Sequence, residues 1–329
     1  MANPLVSVIV LAYNHESFIR DTLASTVQQD YDNLEVIVSD DGSSDGTVDV
    51  IQEYARRYPD RILPIIGKTN LGVTGNSNRG LQTSNGKYVA FLGGDDQYLP
   101  AKITRQVAWM EADERRVLSG HDVEIFDTYG RRESVLWSES HPMRAGVGPA
   151  HIIQHGTPFA AISVMVRRSA IPTYGFDPRL PTASDWKLWI DCLAKGGEFG
   201  FIDGVYARYR RSESNISINT RVMVLDRLVT LAIVESSYPE YINLCKRQRA
   251  RAYYDLGISL MKEGKHPLAR KAIMSATQCS LYSPKIILAL LFAYFPRSFD
   301  KLFLQNRFAP GKFSDFIQDL IQTDNNRSR

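Results

Sequence analysis

Gly93-Gly94-Asp95-Asp96 follows the apolar run Val89-Ala-Phe-Leu92 and sets two carboxylates side by side where a buried strand would end. Glycines let the backbone turn sharply there, so that one acid can enter a cleft while its neighbour ties down the loop. Hard divalent ions such as Mg²⁺ take oxygen ligands and often use only one or two protein carboxylates, with phosphate oxygens completing the shell. The same four residues also suit a plain turn that caps a helix starting near Pro100-Ala101.

Three further stretches carry groups of this kind. Asp40-Asp41 opens the turn Asp40-Asp-Gly-Ser-Ser-Asp-Gly-Thr47, where a carboxylate could accept hydrogen bonds from a base or ribose, or simply cap the next helix. Asp185 starts the aromatic segment Ser184-Asp-Trp-Lys-Leu-Trp-Ile190; it fits either a first-turn acid favouring the helix dipole or a general base raised in pKa by apolar walls. Arg210 and Arg211 present guanidinium forks suited to a diphosphate, although arginines at a strand end are also common on surfaces. His15, His121, His141, His151 and His155 fall at no ligand spacing and read as structural.

The elements that must position these groups alternate. Val6–Ala12, Leu34–Ser39, Arg61–Ile66 and Tyr88–Leu92 read as strands, with helices expected over Glu16–Gln29 and Val48–Tyr58, and a loop from Asn70 to Gly80 leading into a third. Such alternation predicts βαβ units in an open α/β sheet, whose ligands sit beyond the carboxyl ends of the strands. Tyr13-Asn14, Asp40-Asp41 and Asp95-Asp96 all fall at those ends. Farther on, Ala161–Val166, Phe199–Ile202 and Val205–Tyr209 read as strands and Asp185–Ala194 as a helix. From about Arg221 the pattern is helical throughout, with a hairpin around Gly264-Lys265.

The 329 residues are 44% hydrophobic and 23% charged, which excludes a disordered, collagenous or polytopic membrane chain. Cys192, Cys245 and Cys279 are widely spaced and form neither a disulfide framework nor a zinc site. No leader is recognised at the N-terminus, and a cytoplasmic location is expected. Residues 1–219 carry 22 basic and 27 acidic groups, residues 220–329 carry 17 and 9, so two regions with different partners are expected.

Taken in order, Val6–Thr47, Asn70–Gly80, Gly86–Ile103, Ala183–Gly196 and Tyr209–Ser217 resemble the family 2 inverting glycosyltransferases of GT-A fold. The resemblance covers roughly the first two thirds of the chain. It implies a GT-A (Rossmann-like) open mixed sheet flanked by helices in a catalytic domain over 1–219, with a C-terminal α-helical extension over 220–329. It further implies that Ala12, Tyr13, Asn14, Asp40, Asp41, Asn70, Asn78 and Asp95 hold a nucleotide, with a UDP-sugar as the expected donor. Gly72 and Gly80 match the same nucleotide-side loop. Asp185 matches the catalytic base, Arg210 and Arg211 would meet the diphosphate, and Asp95, with Asp96, would hold Mg²⁺ or Mn²⁺. The sequence departs from the family at Gly93, where an acid is usual, at Ser77, where an arginine is common, at Ser184, where a Glu often precedes the base, and at Ser212, where a His is frequent.

The acceptor implied is a hydroxyl of a glycan or lipid-linked glycan in polysaccharide biosynthesis. The helical tail resembles a single tetratricopeptide-like hairpin, and the apolar run Lys285–Pro296 is too short to span a bilayer. It reads either as a core helix or, with Lys285, Arg297 and Lys301 flanking it, as an interfacial helix on an anionic inner leaflet. No nucleic-acid motif is present. Two competitors remain, a polyprenyl-phosphate sugar synthase and a nucleotide-sugar-binding scaffold without turnover. A sugar nucleotidyltransferase is disfavoured, because Leu11-Ala-Tyr-Asn-His-Glu16 stands where its glycine-rich loop would be.

Overall fold

The computed structural model describes residues 3–127, 132–140, 145–181, 184–211, 220–279 and 284–294. His141, Ser212–Ser217, Arg297 and Lys301 lie outside the described residues. The chain divides into two compact units, Met1–Asp226 and Arg227–Arg329.

The first unit runs β1 (Val6–Ala12), α1 (Ile19–Val27), β2 (Leu34–Asp40), α2 (Thr47–Arg57), β3 (Ile62–Ile66), α3 (Gly72–Thr83), β4 (Tyr88–Gly93), β5 (Gln97–Tyr98), α4 (Lys102–Glu111), β6 (Arg116–Asp127), β7 (Arg132–Leu136), α5 (Trp137–Ser140), β8 (Gly146–Val147), α6 (Ala150–His155), β9 (Met165–Arg167), α7 (Ser184–Leu193) and β10 (Glu198–Arg211). One mixed sheet takes the order β3-β2-β1-β4-β9-β6-β10-β5, with β7 on β6 and β8 on β10. Strands β1 to β4 are parallel neighbours, whereas β9 lies antiparallel between β4 and β6.

Strand β1 is buried on both faces by Val6, Val8, Ile9 and Val10, which is why its apolar run is continuous rather than alternating. The chain steps outward from β1 to β2 and β3, then returns to place β4 on the other side of β1. Loops leaving β1 and β4 therefore diverge and open a crevice at the carboxyl ends of those strands. Register sets Ala12 opposite Asp40 and Leu11 opposite Gly93, so all three candidate stretches stand at one level along that edge.

Several expectations change. Residues 161–163 form a 3-10 turn, held by the Ser163 amide donating to the Ala160 carbonyl (2.8 Å), and only Met165–Arg167 is strand. The two strands expected over 199–209 are one strand, β10, whose pairing with β6 is irregular around Asp203-Gly204. Helix α3 begins at Gly72, inside the stretch expected to be loop. Strand β6 has no regular alternation of polar and apolar residues, so its sequence does not announce it.

The last helices are α8 (Thr220–Ser237), α9 (Ile242–Lys262), α10 (His266–Cys279) and α11 (Pro284–Tyr294). Ala250, Leu260, Met261, Ala269, Ile273, Ala276, Ile286 and Ala293 form the core of α9, α10 and α11. Close crossing of α9 and α10 depends on Gly257, where a Cβ would collide with Ile273 Cγ1. Gly257→Val is expected to destabilise this unit by about 1–3 kcal/mol through overpacking, read as a lower midpoint in thermal unfolding of the full chain. Among the described residues, no helix is long and apolar enough to cross a membrane.

Candidate active site

The loops after β1 and β2 hold each other. The Asn14 amide donates to Ser43 Oγ (2.9 Å) and Asn14 Oδ1 accepts from the Ser44 amide (2.9 Å), with Asn14 itself at φ 54°. Two residues on, the Glu16 amide donates to Asp45 Oδ2 (3.1 Å) and Glu16 Oε2 accepts from the Gly46 amide (3.0 Å). Between them the His15 amide donates to Thr47 Oγ1 (2.7 Å). Tyr13 is left 46% exposed, an aromatic face at the rim on which a planar ring could stack.

Asp40 and Asp41 do different work. Asp40 is fully buried, and its carboxylate accepts the Gly42 and Ser43 amides (both 3.0 Å) and the Ser43 hydroxyl. Those bonds build the turn, which Gly42 enters at φ 80°. Asp41 donates its amide to the Ala12 carbonyl (2.8 Å), while its Oδ1 accepts the Leu71 amide (2.9 Å) and lies 3.5 Å from Arg79 Nη2. Among the described residues, no hydrogen bond reaches Asp41 Oδ2.

Of the stretch expected on the nucleotide side, Asn70 is exposed and uses Oδ1 to cap the Gly72 amide (2.9 Å) at the start of α3. Asn78 donates Nδ2 to the Phe176 carbonyl and accepts the Phe176 amide at Oδ1, at 2.8 Å each, which packs α3 against the backbone of Phe176. Ser77 is buried with its hydroxyl donating to the Val73 carbonyl (2.7 Å). Gly80 lets α3 approach β1, since a Cβ there would lie 2.5 Å from Ile9 Cγ2.

The turn after β4 has its own logic. A Cβ at Gly93 would lie 2.8 Å from both Asp95 Oδ1 and Asp96 Oδ2, and one at Gly94 would collide with His15 Nδ1. The two carboxylates thus converge on a space that only glycine leaves open. Thr22 Oγ1 donates to the Gly94 and Asp96 carbonyls (2.9 and 2.7 Å), fastening the turn to α1. Asp96 is buried and its Oδ1 accepts the Arg210 amide (2.8 Å); burial, then the neighbouring Asp95 charge, push its carboxyl well above the usual range. Asp95 is less enclosed than Asp96.

Arg210 is buried, not splayed toward solvent. Its guanidinium lies 4.3 Å from the ring centres of both Phe18 and Phe126, and Nε donates to the Asp95 carbonyl (2.9 Å). Arg211, at the end of β10, is exposed. Among the described residues no group of three or more His, Cys, Asp or Glu side chains could hold a metal by itself. The donor set of the turn is one or two carboxylate oxygens, which fits a hard divalent ion that takes its remaining ligands from phosphate and water.

Asp185 sits at the first turn of α7. Its Oδ1 accepts the Trp186 amide (2.8 Å), and burial raises its carboxyl pKa, with that amide bond pulling the other way. Ser184, the departure before it, shares a hydrogen bond with Thr74 Oγ1 (2.7 Å), and Thr74 also donates to the Leu180 carbonyl. Helix α7 is thereby docked on the start of α3, beside the Leu71 amide that binds Asp41. Trp189 reaches β4, with its ring 6.0 Å from that of Phe91. Thr22, Thr74 and Arg79 have no signal of their own in the sequence, because each acts through a partner distant along the chain.

A family model described as "Glycosyl transferase family 2" matches residues 7–174. Among curated proteins, the chain is 30% identical to the putative glycosyltransferase EpsE of Bacillus subtilis, over 72% of this chain and 86% of that protein. It is also 30% identical to the UDP-Glc:alpha-D-GlcNAc-diphosphoundecaprenol beta-1,3-glucosyltransferase WfaP of Escherichia coli, over 65% of this chain and 80% of that one. Among solved structures, the S. aureus TarS 1-349 complex with UDP-GlcNAc superposes with a TM-score of 0.62 at 18% identity, covering 88% of this chain and 87% of that chain, a likeness of fold.

Proposed function

The chain belongs to glycosyl transferase family 2 and has its GT-A fold, and from that premise we propose that it is an inverting enzyme of polysaccharide biosynthesis. It moves one sugar from a nucleoside diphosphate donor, a UDP-sugar, to a hydroxyl of a glycan or lipid-linked glycan. The observation that carries this reading is the presence of three unlike carboxylates on loops and turns around the sheet edge. Asp41 is buried with Oδ2 free of hydrogen bonds among the described residues, and so able to accept a base N–H, Asp95 flanks a glycine turn, and Asp185 has its pKa raised by burial.

In the reaction, Asp185 accepts the proton of the acceptor hydroxyl as its oxygen bonds to the anomeric carbon, and the bond from that carbon to the β-phosphate oxygen breaks. Attack opposite the leaving group inverts the anomeric configuration. Tyr13, Asn14 and the Ala12 backbone border the base, and Asp41 orients it. Asp40 keeps the loop in shape from below. Asp95, with Asp96 beneath it, would hold Mg²⁺ or Mn²⁺, which when bound offsets charge on the departing diphosphate. Arg210 holds the turn rigid through the Asp95 carbonyl, and Arg211 borders the diphosphate side.

The lipid-linked acceptor is supported by the name of WfaP, whose substrate is a diphosphoundecaprenol. Helix α11 adds weight to a peripheral position on an anionic inner leaflet: it leaves Ile287 and Tyr294 half exposed while Ile286, Ala289 and Ala293 are buried. A panel of nucleotide-sugars, read as nucleoside diphosphate release, tests the reading. UDP release with at least one UDP-sugar is expected; donor binding without any turnover across the panel and a range of glycan acceptors would favour a scaffold.

A further inference from the structure

Arg79 is the one guanidinium in contact with Asp41 among the described residues, and it is firmly held. Its Nε donates to Ser39 Oγ (3.1 Å) and its Nη2 to Asn76 Oδ1 (2.6 Å) and to the Asp40 carbonyl. Asn76 is fixed in turn, donating Nδ2 to the Ser39 carbonyl (2.8 Å). Gly67 makes room for the guanidinium, since a Cβ there would stand 2.5 Å from Arg79 Nη1. The arginine thus ties the end of β2 to α3, next to Asp41.

A carboxylate oxygen offers about two lone-pair sites. Asp41 Oδ1 accepts the Leu71 amide (2.9 Å), and the Arg79 guanidinium, 3.5 Å away, pairs its charge with the same oxygen. Only Oδ2 remains for a ligand. We propose that Arg79 is a specificity-determining positioning residue for the nucleobase: by pairing with Asp41 Oδ1, beside the Leu71 amide, it leaves Oδ2 as the one carboxylate oxygen presented to a base.

Bases differ in what they present to such a group. Uracil offers one ring N–H between two carbonyl oxygens, which a single acceptor satisfies. Guanine offers two adjacent donors, N1–H and its amino group, which suit a carboxylate with both oxygens available; here Oδ2 alone would have to serve both, so that one is left poorly matched. Cytosine and adenine present a ring nitrogen lone pair beside an amino group, so the ring position opposite Oδ2 would repel the carboxylate. An unmatched polar group is rejected far more strongly than a merely looser fit. The inference rests on the nucleotide-binding reading above and adds to it the residue that sets the choice of base.

Equilibrium binding of UDP and GDP, with Mn²⁺, to the full chain and to Arg79→Met and Arg79→Lys tests it. The wild type is expected to favour UDP by about tenfold or more. Arg79→Met, which keeps the length but loses every donor, should bind UDP more weakly and bring the UDP-to-GDP ratio toward unity; Arg79→Lys should fall between. Binding of inorganic pyrophosphate with Mn²⁺, expected to be unchanged, reports that the diphosphate side is intact. A UDP preference that survives both substitutions overturns the inference alone. Wild-type protein that binds neither nucleotide overturns it together with the reading on which it rests, and a wild-type preference for GDP overturns it directly.

Discussion

Asp185→Asn is expected to lower sugar transfer by about 10²–10⁴-fold while leaving UDP affinity close to wild type, the range that a positioned general base contributes. The amide keeps the shape of the carboxylate and can still accept the Trp186 amide that Asp185 Oδ1 accepts at 2.8 Å, so the fold of α7 should survive. The pH profile gives a second readout. Burial holds the Asp185 carboxyl above its ordinary range, so in the wild type kcat should fall as pH drops through that raised value, where the base becomes protonated and cannot take the acceptor proton. The acidic limb should vanish from the residual activity of Asp185→Asn. Near wild-type transfer to the true acceptor would instead mean an acceptor that is already an anion, as for a polyprenyl-phosphate sugar synthase.

Asp95→Ala and Asp96→Ala should fail in different ways, although the two residues are neighbours. The hydrogen bond that Asp95 makes with Arg210 Nε runs through its backbone carbonyl (2.9 Å), which truncation leaves in place. Asp95→Ala should therefore unfold at the wild-type temperature but lose activity on the order of a hundredfold or more, and UDP binding should no longer respond to EDTA. Asp96→Ala removes the acceptor of the buried Arg210 amide (2.8 Å) and should cost about 1–3 kcal/mol of stability, seen as a lower melting midpoint. If Asp95→Ala retains metal-stimulated transfer, the assignment of the divalent ion to this turn is wrong.

Much of the scaffold is legible before any coordinates. Unbroken apolar runs at Val6–Ala12 and Tyr88–Gly93 mark strands covered on both faces, and their ends point to the crevice. What the sequence hides is which member of each acidic pair is spent on its own turn. Asp40 and Asp41 look alike in one dimension, yet the first is consumed by Gly42 and Ser43 while the second keeps an open oxygen. Asp95 and Asp96 divide in the same way. Arg210 reads as a surface fork because nothing local shows that Phe18 and Phe126 enclose it from elements far apart along the chain. Strand β9 and the 3-10 turn before it depend on long-range pairing with β4 and β6, which local periodicity does not encode.

The reciprocal bonds between Asn14 and Ser43-Ser44, and between Glu16 and Asp45-Gly46, have a thermodynamic meaning for the donor. Each loop both gives to and takes from the other, so neither can shift alone, and their conformational entropy is surrendered when the chain folds rather than when substrate arrives. Ligand affinity on this side of the crevice then carries little ordering cost. Discrimination among donors becomes a matter of fit to a rigid template, and any closing motion that accompanies catalysis must be sought elsewhere along the sheet edge.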